Sequence, residues 1–339
     1  MTTYSLPKEK LPDFLNALSE FEIWAPVKKD TATLFEVIED CTNISLDLHN
    51  QPVISKKAIF PQTEPLFSYD MKGGITGPDF GNTGNTFIFG IRPCDARSFT
   101  LLDPVFEGDI PDPYYLSRRR TALLAGIACT QPFLNCFCTS IGGNPFSTEG
   151  LDLLFIEYNE SLFFIQVITD RGQKLIDKAS SLFSSPSAEE TKKLEQLKEE
   201  ANAKIERHLD LTGVPDKLAG LFEHPIWKQF ASKCIGCGIC TYTCPTCYCF
   251  DMQDETTVTQ GRRVRTWDSC MFPEYTLHAS GHNPRETRTE RFRNRIYHKF
   301  KFNVDNFKAF SCVGCGRCIT LCPVNIDLLE YLSEIKETE

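Results

Sequence analysis

The chain has 339 residues, room for two or three domains, and a hydrophobic fraction of 41%, ordinary for a globular protein. A formal net charge of -9 argues against nucleic acid as a partner. The first ten residues hold no apolar signal core and no apolar run nears membrane-spanning length, so the expectation is a cytoplasmic protein with no membrane span.

Residues 8–19 place Leu11, Phe14, Leu15 and Leu18 on one stripe and predict a helix starting near Pro12. Extended pieces follow at Thr33–Ile38 and Ile44–Leu48. The Gly-rich stretch from Gly73 to Gly84 lacks the order of a phosphate-binding or dinucleotide loop and reads as a structural loop. Thr86–Ile91 and Ala122–Ile127 are apolar runs, read as buried strands, with Asp95 placed to cap a helix over Ala96–Leu102. Leu151–Tyr158 and Leu162–Ile168 read as a hairpin, followed by a helix from Asp170 to about Phe183. The fold class expected is α+β: a mixed α/β domain with a sheet core over residues 1–184, a helical connector over 185–230 and a two-cluster ferredoxin-like domain over 231–339. The connector holds a charged helix at Ala188–Leu209 and a second helix at Asp216–Ser232.

The C-terminal domain carries two copies of one pattern. Cys234, Cys237, Cys240 and Cys244-Pro245 form the first, and Cys312, Cys315, Cys318 and Cys322-Pro323 the second. Both read C-x2-C-x2-C-x3-C-P, the run that holds a [4Fe–4S] cube. Three cysteines in a tight turn point at three corners of one cube. The fourth opens the next helix and, in two-cluster ferredoxins, ligates the other cube. The assignment is therefore Cys234, Cys237, Cys240 and Cys322 for the first cluster, and Cys312, Cys315, Cys318 and Cys244 for the second. A pair of zinc sites, the alternative, would favour paired C-x2-C or Cys/His sets.

Residues 246–311 form a large insertion between the runs. It holds Cys247, Cys249, Cys270 and a basic stretch from Arg285 to Lys301. That stretch reads either as a solvated face or as a shield for cluster charge and a docking surface. Cys247, Cys249 and Cys270 read as thiols packed around a cube, with a separate binding role as the alternative. Four cysteines remain in the N-terminal domain. Cys94 and Cys129 each follow a predicted strand, and Cys136-Phe-Cys138 follows a short loop later. If the two strands are neighbours, Cys94, Cys129, Cys136 and Cys138 converge on a third [4Fe–4S] cube; the alternative is small buried core residues. No G-x-S-x-G or H-E-x-x-H arrangement is present.

Along nearly its full length the sequence resembles the iron–sulfur subunit shared by sulfhydrogenases (the β subunit) and anaerobic sulfite reductases (the A subunit). The carriers are Pro93-Cys94-Asp95, Asn135-Cys136-Phe137-Cys138, Cys244-Pro-Thr-Cys247-Tyr-Cys249, Trp267-Asp-Ser-Cys270-Met271, Gly281-His282-Asn-Pro-Arg285 and the run from Cys312 to Cys318. The resemblance implies an electron-transfer subunit of an anaerobic oxidoreductase complex. Its implied partners are a flavin-containing diaphorase-type subunit, linked to NAD(P)H or ferredoxin, and a catalytic subunit: a hydrogenase, a sulfite reductase or a heterodisulfide-reductase-like module. The competing expectation is a sulfur or polysulfide reductase working through Cys247, Cys249 and Cys270 as exposed thiols.

Overall fold

The computed structural model describes residues 2–30, 32–46, 55–78, 80 and 84–338. The second part of the expected Ile44–Leu48 segment and part of the Gly-rich stretch fall outside them. The strands are β1 (Thr3–Pro7), β2 (Glu22–Lys29), β3 (Ala32–Val37), β4 (Thr63–Asp70), β5 (Ile75–Thr76), β6 (Thr86–Ile91), β7 (Leu123–Ile127), β8 (Leu153–Glu157), β9 (Leu162–Val167), β10 (Phe250–Thr256) and β11 (Gln260–Trp267).

Two compact units are present. The first comprises Met1–Ile59, Gly81–His208 and Val313–Cys315. Its seven-stranded sheet has the order β1-β9-β8-β7-β6-β2-β3. The four strands β2, β6, β7 and β8 run parallel, and antiparallel strands flank them. β6 and β7 are continuous apolar runs, every residue buried, as parallel strands covered on both faces require. The hairpin expected at 151–168 is β8–β9. Helix Pro93–Glu107 joins the β6 end without a loop: Pro93 takes the first helical position, where its missing N–H costs nothing. The residue before the helix is Arg92, so Asp95 is not the cap but a buried member of the first turn. Thr169, not Asp170, caps the next helix by accepting from Gly172 N–H, and that helix ends at Lys178. The charged helix expected over Ala188–Leu209 is Ala188–Ala203, ending six residues earlier. Ser187 and Glu190 close a reciprocal cap at its start, and Leu194 and Ala201 are its buried side.

The second unit comprises Phe60–Phe80, Leu209–Cys312 and Gly316–Glu339. Strand pairing, not chain order, sets these bounds, which differ from the expected 1–184, 185–230 and 231–339. β4 and β5 join the insertion hairpin in a four-stranded antiparallel sheet, β10-β11-β4-β5. The Arg265 guanidinium donates to Glu64 Oε1 from Nε at 2.9 Å and from Nη2 at 2.5 Å, so a fully buried ion pair fixes β11 on β4. Phe60 stacks on Trp267 with ring centroids 5.9 Å apart. The helix expected over Asp216–Ser232 is two helices, Val214–Gly220 and Ile226–Ala231, because Pro225 interrupts the hydrogen-bond ladder. Trp227, Phe230, Tyr297, Leu332 and Ile335 fill the core beneath them.

Candidate iron–sulfur centres

The first cysteine run closes around one cavity in the second unit. Cys234, Cys237, Cys240 and Cys322 all line it, as do Cys318 of the second run and the buried Arg295. The fourth cysteine of the second run is thus brought to the first three of the first run. Gly236, at φ 72°, turns its amide onto Cys234 Sγ at 3.4 Å, and Ile326 N–H donates to Cys322 Sγ at 3.2 Å. Such amides stabilise a thiolate, and that of Gly236 reaches its sulfur because the turn there enters the left-handed region. Burial pushes the Cys234 thiol up, and that of Cys240 up to about 11, so both are costly as bare anions. Among the described residues no three His, Cys, Asp or Glu side chains come close enough to share one metal ion. Ligands at the corners of a cube stand farther apart than those of one tetrahedral ion.

The basic stretch turns out to be divided. Arg291, Arg295 and Lys299 recur every fourth residue and are all buried, whereas Arg293 ion-pairs with Glu223 and Lys301 with Asp305 towards solvent. Lys299 Nζ donates to Cys244 Sγ at 3.3 Å, to Thr246 Oγ1 at 3.0 Å and to the Ser311 carbonyl at 2.8 Å. Burial alone would pull Lys299 below the usual ammonium range, but the sulfurs of Cys244 and Cys247 hold it above. Burial likewise opposes the charge on Arg295, and Cys240, Cys318, Cys247 and Cys244 outweigh it. The Cys247 thiol donates to Cys244, and with Lys299 it keeps the Cys244 thiol well below its ordinary value despite burial. Arg295 Nε is buried without a hydrogen-bond partner. Two buried cations facing thiols, one with an orphaned donor, are what a polyanionic cluster requires: four thiolates and an oxidised cube sum to about -2. The donor set fits the group. Of the assigned second set, Cys244, Cys312 and Cys318 belong to the second unit and Cys315 to the first.

In the first unit β6 and β7 are indeed parallel neighbours, so their C-terminal ends share one edge of the sheet, where ligands of such sheets bind. Cys94 lies in the first turn of the helix that follows β6, and Cys129 two residues beyond β7. Arg92 Nη1 donates to Cys129 Sγ at 3.1 Å, and its guanidinium lies 4.5 Å from the centre of the Phe133 ring. Cys136 and Cys129 stand near enough to Cys138 to disfavour its charge, after burial as the main cause, and the Cys138 thiol is pushed up to about 12. Arg207 donates to Asn135 Oδ1 at 2.6 Å and pins the loop before Cys136. The backbone of Phe137 donates to the Gly314 carbonyl at 2.8 Å. A Cβ on Gly314 would stand 2.5 Å from Cys138 Cα.

Cys247 and Cys249 are partly buried and Cys270 is buried, so these three are not exposed thiols. Cys249 is held down to about 6, chiefly by the Cys270 thiol donating to it, against burial and with further help from the Tyr275 hydroxyl. Tyr248 and His298 share a hydrogen bond of 2.9 Å, a packing role for that histidine.

Sequence reading missed the inward cations. The signal was present: residues 291, 295 and 299 interleave with Phe292, Ile296 and Phe300 at helical spacing.

Paired cysteine runs with buried cations define an iron–sulfur protein carrying [4Fe–4S] clusters, and residues 233–326 match the 4Fe-4S dicluster domain family. The chain is 32% identical over 339 residues, 99% of each chain, to the sulfhydrogenase 2 subunit beta of Pyrococcus furiosus. It belongs to that family of sulfhydrogenase beta subunits. No helix among the described residues is long and apolar enough to cross a membrane.

Proposed function

We propose that the chain is an electron-relay subunit holding three [4Fe–4S] clusters. Cys234, Cys237, Cys240 and Cys322 hold one, Cys312, Cys315, Cys318 and Cys244 the second, and Cys94, Cys129, Cys136 and Cys138 the third. The cavity that gathers Cys322 with the first run is the observation that carries this reading. When bound, such clusters accept and release single electrons. The chain's own residues hold the thiolates and balance their charge.

The relative's name supports a place in a sulfhydrogenase assembly. Electrons would pass between a flavin-containing diaphorase-type subunit, fed by NAD(P)H or ferredoxin, and a catalytic subunit. The catalytic partner is a hydrogenase on this reading, with a sulfite reductase or heterodisulfide-reductase-like subunit as the other chemistries that the resemblance allows. Anaerobic iron analysis tests the count: about twelve irons per chain for three cubes, about eight for two. Reversible reduction of all of them by a low-potential donor, with no turnover of sulfur acceptors by the chain alone, is the expected result.

A second reading makes the chain itself a sulfur or polysulfide reductase. It rests on Cys249, whose sulfur is kept as a thiolate by its neighbours. Polysulfide turnover by the isolated chain at the rate of its complex, lost in Cys249→Ser, would replace the relay-only view.

A further inference from the structure

Arg295 and Lys299, two of the cations buried in the second unit, both face cysteine sulfurs and are not equivalent. Arg295 is shared: it faces Cys240 of the first ligand set and Cys244 and Cys318 of the second, and its Nη2 donates to the Cys240 carbonyl at 3.3 Å. Lys299 is one-sided. Its hydrogen bond to sulfur goes to Cys244, and the other sulfurs acting on it are Cys247 and Cys312. The hydrogen bonds from Lys299 to Cys244 Sγ, Thr246 and Ser311 commit all three ammonium protons, and none of the three partners is a carboxylate. Only 3% of the side chain's residue is exposed. A charge fixed in this way, away from solvent, is weakly screened.

The hydrogen bonds to the sulfurs of the first set are of another kind. The sulfurs of Cys234 and Cys322 accept from backbone amides, which are neutral. The cation added there is Arg288, an exposed residue that donates to the Cys234 carbonyl at 2.8 Å.

The local helix geometry sets the difference. Arg288–Tyr297 is α-helical, His298–Phe302 forms a π turn, and Asn303–Phe307 is α-helical again. Single π turns commonly mark functional positions, because the wider turn re-aims one side chain. Here Lys299 lies inside it.

We propose that Lys299 sets the order of potentials in the ferredoxin pair. Its buried ammonium favours an added electron on the cube that Cys244 helps to hold over the cube of Cys234, Cys237, Cys240 and Cys322. The step is a one-electron reduction, and no proton leaves Lys299. Adding an electron makes a cube more negative, so a fixed cation on one of its sulfurs stabilises the reduced form more than the oxidised form. The Cys244-ligated cube is then the higher-potential member and the place where a single electron rests. This rests on the ligand assignment proposed above.

The test is an anaerobic redox titration of the full chain followed by electron paramagnetic resonance. Cys322→Ser comes first: it abolishes or alters the signal of the first cube and so assigns both signals. Damage to the Cys312 cube instead would sink the ligand assignment, before any Lys299 variant is measured. With the signals assigned, the one that Cys322→Ser spares titrates at the higher potential in the unmodified chain. Lys299→Met lowers that midpoint by a tenfold change in the one-electron equilibrium, about 59 mV, and leaves the other in place. Lys299→Arg restores most of the shift. The proposal is overturned if the spared signal is the lower one in the unmodified chain, or if Lys299→Met moves both midpoints equally or neither. Lys299→Gln titrating like the unmodified chain would assign the effect to the hydrogen bond and overturn it as well. Should Lys299→Met lose iron, the order of midpoints in the unmodified chain decides alone.

Discussion

The cysteines at the sheet edge of the first unit and those of the first ferredoxin run reach similar company by opposite routes. Cys234, Cys237 and Cys240 are set by seven consecutive residues and two glycine turns, so their grouping is local. Cys94 and Cys129 are 35 positions apart and share one edge of the sheet because β6 and β7 lie side by side in parallel. A local run tolerates change elsewhere in the fold, whereas the sheet-edge group depends on register: a one-residue slip of β7 turns every side chain to the other face. The cations differ as well. Arg92 donates to Cys129, whereas the buried Arg295 and Lys299 serve the ferredoxin sulfurs.

The largest expected effect breaks the comparison at the sheet edge. Cys129→Ser in the full chain lowers the iron content from about twelve to about eight atoms and leaves the ferredoxin pair's resonance signals intact. Unchanged iron would reduce Cys94, Cys129, Cys136 and Cys138 to core residues, and only the local route would remain as a cluster site. A middle-sized effect sharpens the contrast in packing. Gly314→Ala, at φ 66° and with its new Cβ 2.5 Å from Cys138 Cα, destabilises the first unit by about 1–3 kcal/mol. Thermal unfolding of the two chains under argon measures it, and an unshifted transition shows that the Phe137–Gly314 approach is slack.

The smallest effect is a pH slope belonging to the ferredoxin region. Burial, with the Lys299 charge beside it, lowers His298 to about 4, so its neutral form is favoured in the folded chain. The unfolded chain binds that proton near pH 6.5, so it holds more protons than the folded one between about 6.5 and 4. Stability therefore falls as pH drops through that window. Urea midpoints at pH 7 and pH 5 should show the loss, and His298→Gln should flatten it. An equal slope in the variant would assign it to other groups.

What the sequence made legible follows the same division. The apolar runs of β6 and β7, the 151–168 hairpin and the spacing of the ferredoxin cysteines are all short-range signals, and the structure has all three elements in place. The parallel neighbourhood of β6 and β7 was an expectation conditional on topology, and it holds. The pairing of β4 with β11 was not legible. Nothing in Thr63–Asp70 or Gln260–Trp267 names the other, and only the buried Arg265–Glu64 pair records the match. The inward turn of Lys299 was also hidden, because a lysine in a basic stretch reads as solvated until the thiols opposite it are placed. The single helix expected over Asp216–Ser232 failed for a plainer reason, since Pro225 lacks the N–H that would continue it.

The strand pairing of the second unit constrains how the protein is made. β4 emerges from the ribosome early, but β11, the partner that covers it, begins about 190 residues later. At cellular rates of synthesis that is roughly 10–40 s during which the edge of β4 is unpaired. The first unit also waits, because Val313–Cys315 is part of it and its preceding segment ends at His208. Neither unit can finish before residue 313 has been made, and iron delivered earlier would meet incomplete ligand sets in the ferredoxin pair. Insertion into the ferredoxin pair is therefore a step that follows synthesis of Cys322. A chain stalled before residue 312 should be recovered with free thiols and no bound iron at Cys234, Cys237 and Cys240.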